Sequence, residues 1–141
     1  MRYLAIDYGT KRTGLAICDP TETIVSPLAV VRSEKMLIRK IKEVVDSEKV
    51  GAVVLGLPLN MDDSQGPQAK LTLKFAEKLR KSLAVPVYLQ DERLSSFEAE
   101  DRLNSANMKR SRVAERLDAV SAAGILEAFL GQNKPGKAAE K

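Results

Sequence analysis

The stretch Tyr3-Leu4-Ala5-Ile6-Asp7-Tyr8-Gly9-Thr10-Lys11-Arg12-Thr13-Gly14 constrains this chain more than any other. Tyr3 to Ile6 is a short apolar run of the kind that forms a buried strand. Asp7 sets a carboxylate where that run ends. Gly9 and Gly14 permit a tight turn and a close approach of backbone to a ligand. Leu15-Ala16-Ile17-Cys18 then returns as a second strand. The product is a hairpin with an acid at the head of its first arm. Asp is also a common turn residue, so the hairpin alone leaves open whether Asp7 caps a turn or does chemistry.

What the chain lacks narrows that chemistry. None of its 141 residues is histidine, which removes the commonest general base, the Ser-His-Asp triad and most zinc sites. An enzyme built from this composition works with carboxylates, lysines or hydroxyls. Any metal it holds would sit among oxygen ligands and so be a hard cation such as magnesium or manganese. Cys18 is the single cysteine; it lies among apolar residues and reads as a packed core thiol. A formal charge of +4 mildly favours a polyanionic partner.

No apolar run approaches the roughly 20 residues that span a bilayer, and the first strand begins almost at Met1, so neither membrane nor leader is expected and the cytoplasm is the expected compartment. One domain is expected over 1–131, with a charged, small-residue tail over 132–141 expected to be disordered.

After the hairpin, Thr23-Ile24-Val25 and Leu28-Ala29-Val30-Val31 predict a third extended segment interrupted by Pro27. Ser33 is a candidate cap for a helix over 34–48, where Leu37, Ile38, Ile41, Val44 and Val45 recur at helical spacing. Ala52 to Leu57 is an apolar run that predicts a strand buried on both faces. Pro58 to Pro67 is a polar loop long enough to be functional. A second helix is expected over 68–83 with Leu71, Phe75, Leu79 and Leu83 along one face, then a strand over 87–90. Ser95 and Glu98 form a capping box for a helix running to Leu103. Asn104 to Arg112 predicts a mobile basic loop, and Ala114 to Leu130 a mostly buried last helix. A meander followed by strand-helix-strand crossovers makes this an α/β protein with a mixed five-stranded sheet.

Three acids stand at element ends. Asp7 closes the first strand, Glu92 follows the fifth, and Asp118 interrupts an apolar helix. Right-handed crossovers make the first, fourth and fifth strands parallel, which brings Asp7 and Glu92 to one sheet edge, where α/β proteins bind ligands. Three carboxylates gathered together would repel, and divalent ions resolve that conflict while activating water for phosphodiester cleavage. Plainer roles also fit: Asp118 as a partner of Arg116 or Lys109, Glu92 as a partner of Arg93, and Lys109-Arg110-Ser111-Arg112 as a solvated charge run.

Four motifs in order resemble those of the YqgF (RuvX-like) family of RNase H-fold proteins, named for pre-16S ribosomal RNA cleavage and related to RuvC-type Holliday junction resolvases. They are Ile6-Asp7-Tyr8-Gly9-Thr10-Lys11-Arg12-Thr13-Gly14, Gly56-Leu57-Pro58-Leu59-Asn60-Met61-Asp62 with Gly66-Pro67-Gln68-Ala69 after it, Asp91-Glu92-Arg93-Leu94-Ser95-Ser96, and Leu117-Asp118-Ala119-Val120-Ser121-Ala122-Ala123-Gly124-Ile125-Leu126. The resemblance spans Arg2 to Leu130. It implies an RNase H-like sheet of order 3-2-1-4-5 with helices on both faces. It also implies a nuclease whose magnesium or manganese is held by Asp7, Glu92 and Asp118. Asp63 stands where the family pattern leads one to expect glycine, and serines occupy positions 96 and 121 where Thr or Ala is commoner. Glu92 follows an outer strand, so its side chain must reach inward to join Asp7.

The expected activity is hydrolysis of structured RNA during maturation of small-subunit ribosomal RNA, by a monomer or homodimer that can meet the ribosomal small subunit. Lys11, Arg12, Arg93, Lys109, Arg110 and Arg112 are the expected phosphate-binding cations. Few aromatics are available for base stacking, which favours recognition of backbone and shape. A four-way DNA junction is the alternative substrate, and a catalytically silent RNA-binding assembly factor the alternative class. Asp7-Tyr8-Gly9-Thr10 also resembles the phosphate hairpin of actin-like and sugar-kinase ATPases. Those close two lobes around a nucleotide, and this length supplies one.

Overall fold

In the computed structural model, residues 1–94 and 110–132 are described, with side chains for 1–93 and 119–132. Alternation along the strands divides the protein into two unlike faces. On β1 (Tyr3–Asp7), Leu4 and Ile6 join one core cluster while Tyr3 and Ala5 join another. β2 (Thr13–Cys18) repeats the pattern, with Leu15 against Ala16 and Cys18. β4 (Ala52–Leu57) does the same with Val53 and Leu55 against Val54. The first face is covered by α1 (Glu34–Ser47) and α2 (Pro67–Ser82), the second by α3 (Arg110–Gln132).

The two faces do different work. Leu4, Ile6, Leu15, Leu37, Ile41, Leu55 and Leu79 are fully buried on the first. At about 1.5–3 kcal/mol for each such side chain, this face supplies most of the hydrophobic stabilisation. The second is lined by small residues, Ala5, Ala16, Ala122 and Ala123, which lets α3 lie close to the sheet.

Strand order is β3-β2-β1-β4-β5, with β3 at Val25–Val31 and β5 at Val87–Asp91. β1 runs antiparallel to β2 and parallel to β4, and β4 runs parallel to β5. The expected α/β architecture and order therefore hold. Pro27 does not split the third segment as expected. β3 is an edge strand, where a missing N–H costs no ladder bond, and the interruption is confined to a register shift beside Pro27, where Leu28 is passed over between the Leu15–Ala29 and Ala16–Pro27 pairs. The turn before it is held by the Asp19 carboxylate, which accepts from the backbone N–H of Thr23 at 2.7 Å and of Ile24 at 2.6 Å.

Ser33 caps α1 as expected, its hydroxyl accepting from the Met36 N–H at 3.3 Å. α2 keeps Phe75 and Leu79 on its buried face as expected, with Leu83 packed against the same core, and departs only at Leu71. Leu71 is 42% exposed, and Ala69, Thr72, Phe75, Ala76 and Leu79 are the buried positions. Thr72 can take a core position because its hydroxyl donates back to the Gln68 carbonyl at 2.9 Å. α3 begins at Arg110, four residues earlier than expected, so Arg110, Ser111 and Arg112 lie on a helical turn and not in a loop. Arg is a good helix former, and the charge run masked that propensity. The expected capping box at Ser95 and Glu98, the rest of the basic loop and the tail beyond Gln132 lie outside the described residues. No helix among the described residues is long and apolar enough to cross a membrane.

Cys18 is buried, with its sulfur accepting from the Tyr3 N–H at 3.2 Å. Burial pushes its thiol pKa up, which leaves little reactive thiolate. Ellman's reagent is expected to leave Cys18 untouched in the native protein and to titrate it fully after denaturation; rapid native labelling would show that this edge of the core opens.

Candidate active site

The sheet edge formed by the carboxyl ends of β1, β4 and β5 assembles the acids. Alternation puts Asp7 on the same side as Tyr3 and Ala5, the α3 side. Its β2 partner is Gly14. The β1–β4 register pairs Ile6 with Leu55, and one further step brings Asp7 alongside Gly56. Gly56 is in turn paired with Gln90 of β5. Immediately after β5, residues Glu92–Leu94 form a single 3-10 turn.

Gly56 answers how an acid beyond the outer strand reaches Asp7. A Cβ built on Gly56 would lie 2.7 Å from Glu92 Cγ and 2.9 Å from Glu92 Oε2. The Glu92 side chain therefore lies across the bare backbone of β4, and its carboxyl hydrogen-bonds the Asp7 side chain. The same Cβ would lie 2.5 Å from Ile125 Cδ1, so α3 closes over this point from above. Close approach of the Glu92 side chain to the Gly56 backbone is why no larger residue fits.

The two acids are brought together. The third, Asp118, sits on α3 at a backbone position one turn before Ala122 and two turns before Ile125, and its carboxyl lies outside the described side chains. Among the described residues no cluster of three His, Cys, Asp or Glu is present.

Burial, then the neighbouring charge of Asp91, pushes the Glu92 pKa above the ordinary carboxylate range, with the Asp7 hydrogen bond pulling the other way. Two touching carboxyls in a half-buried site favour sharing one proton. Full ionisation requires a cation, and an all-oxygen donor set fits a hard divalent one.

The expected phosphate ligands divide. Lys11 is exposed and Arg12 half-buried on the turn between β1 and β2, at the Asp7 edge. This turn is tight, since a Cβ on Gly9 would fall 2.4 Å from the Arg12 carbonyl oxygen. Arg110 and Arg112 belong to the first turn of α3, and Lys109 lies outside the described residues.

Arg93 has a different occupation from the one expected. Its Nε donates to both Asp91 oxygens at 3.0 Å and its Nη2 to Asp91 Oδ2 at 2.6 Å. Nη2 also meets Asp63 Oδ1 at 2.9 Å, and Nη1 donates to the Asn60 carbonyl at 2.9 Å. The planar fork that could have gripped phosphate is filled by protein. Asp91 is held below its usual pKa by this pairing.

The residues that hold Asp7 from behind carry no signal in the sequence. Its neighbour Tyr8 stacks on Phe75 at 4.2 Å, donates its hydroxyl to Glu34 at 3.0 Å, and accepts from Gln68 Nε2 at 3.2 Å through its carbonyl. One residue is thereby tied to α1 and α2 together.

A family model described as RuvX, Holliday junction resolvase, matches residues 1–132. A protein of Anaeromyxobacter sp. (strain Fw109-5) named "Putative pre-16S rRNA nuclease" is 43% identical over 132 residues, 92% of this chain and 96% of its own length. One of the same name from Rickettsia bellii (strain OSU 85-389) is 40% identical over 129 residues, 90% of this chain and 84% of its own. In fold, the chain resembles Thermus thermophilus RuvC solved with a Holliday junction substrate (TM-score 0.59, 17% identity, 94% of this chain and 95% of that one). It also resembles the fowlpox virus Holliday junction resolvase (TM-score 0.56, 14% identity, 94% and 99%).

Two outcomes follow from the site's geometry. Gly56→Ala is expected to displace the flexible Glu92 arm more than the strand. Nucleolytic activity should then fall by about a hundredfold while the melting temperature drops only a few degrees; unchanged activity would show that Glu92 need not cross β4. The second concerns pH. A group whose folded pKa is raised contributes fully at low pH, and that contribution is lost as pH rises through the raised value. Metal-free Glu92→Gln should therefore melt above wild type at pH 8 and converge with it near pH 4. Thermal melts across that range check it, and a variant less stable than wild type at pH 8 would contradict the strained pair.

Proposed function

This chain belongs to the RuvX family of Holliday junction resolvases, and on that premise we propose that it hydrolyses phosphodiester bonds in structured nucleic acid, with the 5′ end of pre-16S rRNA as its principal substrate. The observation that carries the reading is the Asp7–Glu92 contact across Gly56. It concentrates negative charge at the sheet edge where a phosphodiester and a counter-ion can meet.

Asp7, Glu92 and Asp118 would hold magnesium or manganese. Such an ion, when bound, neutralises charge on the phosphodiester and makes water a competent nucleophile at neutral pH. The chain's own residues do the rest. Asp7 and Glu92 orient the attacking water from an ionised pair, and Tyr8 keeps the end of β1 from moving as charge develops. Lys11 and Arg12 draw the flanking phosphates to the edge, giving salt-dependent binding. A protein that trims ribosomal RNA precursor at the small subunit would work in the cytoplasm.

A four-way DNA junction is the second reading, favoured by the description of the matching family. Resolution needs paired nicks on opposed strands, and so a symmetric dimer at the junction.

Wild type is expected to cut pre-16S RNA with magnesium or manganese, and Asp7→Asn to lose at least about a hundredfold of that rate. Equal cleavage by both would defeat the assignment. Paired nicking of a junction in preference to the RNA would move it to the second reading.

A further inference from the structure

The loop from Pro58 to Pro67 leaves β4 directly after the glycine beneath Glu92, and its bracing exceeds what a connection needs. Asn60 N–H donates to the Ser64 carbonyl and Asp63 N–H to the Asn60 carbonyl, each at 2.9 Å. Asn60 Nδ2 donates to Ser64 Oγ at 2.9 Å, and Ser64 donates to Asp62 Oδ1 from its N–H at 3.0 Å and its hydroxyl at 2.6 Å. Asp63 adopts φ 70°, a left-handed conformation that Asp tolerates better than most residues. Its carboxylate then meets Arg93 at 2.9 Å. Where the family pattern leads one to expect a glycine, this chain therefore has one more tie to the 3-10 turn that carries Glu92.

The tip of this rigid loop carries Met61, 89% exposed and the most exposed large apolar side chain among the described residues. Its carbonyl lies 3.5 Å from Arg93 Nη1, and Arg93 follows Glu92 on the same 3-10 turn, so the loop tip belongs to the sheet edge formed by the carboxyl ends of β4 and β5. Single exposed apolar residues are ordinary on surfaces; one set on a doubly braced loop at a charged site is not placed there by packing.

The aromatic inventory points the same way. The chain has three tyrosines, three phenylalanines and no tryptophan. Tyr8 is stacked on Phe75, and Tyr3 and Tyr88 lie against Phe129 at 5.3 and 5.6 Å. Among the described residues every aromatic ring is thus committed to an internal pair. The thioether of Met61 is polarisable and suited to contact with a π face, and apolar side chains of this kind wedge against base steps in other nucleic-acid complexes.

We propose that Met61 is a base wedge, seated against an unstacked nucleobase beside the scissile phosphate, so that the site selects the boundary between a duplex and a single strand. The proposal rests on the nuclease reading and adds to it the feature of the substrate that is recognised. Lys11 and Arg12 then take the backbone while Met61 takes the base face.

The probe is a short RNA hairpin with a single-stranded 5′ extension, carrying fluorescent aminopurine at the nucleotide beside the cut. Binding by full-length Asp7→Asn protein should raise its fluorescence as the base leaves the stack. Adding Met61→Ser should abolish the rise, and Met61→Leu should keep it. In the otherwise wild-type protein, Met61→Ser should lower kcat/KM about fivefold to tenfold with the salt slope of binding unchanged. Met61→Leu should stay within about twofold. Melting temperatures matching the parent confirm that the variants fold. Identical fluorescence and cleavage for Met61→Ser and its parent would overturn the wedge. If wild type fails to cut this RNA but the fluorescence rise still depends on Met61, the wedge stands and the nuclease reading falls.

Discussion

Two carboxyl groups in contact across a glycine are the constraint on which this structure turns. Asp7 and Glu92 come from opposite sides of β4, and only the missing side chain of Gly56 lets the outer acid reach the inner one. In water the two would separate; here the strands fix Asp7, the 3-10 turn directs Glu92, and Ile125 of α3 closes from above. Burial then makes the pair costly unless a proton or a cation is shared. That cost is carried by the opposite face of the sheet, where large aliphatic side chains are sealed beneath α1 and α2.

The division of labour between the faces explains features that look unrelated. Small residues on the α3 side bring the last helix near the acids, at some loss of apolar bulk. Tyr8, one residue beyond Asp7, turns to the other side and is anchored by Phe75, Glu34 and Gln68. The end of β1 is thereby gripped on one face and chemically exposed on the other. A carboxylate held this way is preorganised for charge that develops during reaction, which is worth more than the same group on a mobile loop.

Much of this was legible in the residues. The apolar run ending in Asp7, the Ser33 cap and the crossover pattern led to the correct sheet. The four motifs led to the correct family. Other parts were hidden because they depend on neighbours remote in sequence. Gly56 reads as one more position of an apolar strand until Glu92 is seen lying over it. Arg93 reads as a phosphate ligand because a bare arginine beside an acid says nothing of Asn60 and Asp63, about thirty residues earlier. Leu71 fits helical spacing but misses the buried face, since Thr72 satisfies its hydroxyl locally and takes the place. The start of α3 was obscured by charge: Arg110 and Arg112 looked like solvated loop and are instead helical.

A crystal of the protein soaked in manganese and measured at the manganese edge tests the central claim most directly. Anomalous density between Asp7 and Glu92, with the Asp118 carboxylate also within bonding distance, is the predicted result. Density absent there, with Glu92 turned away from Asp7 and Asp118 paired to a nearby arginine, would contradict it.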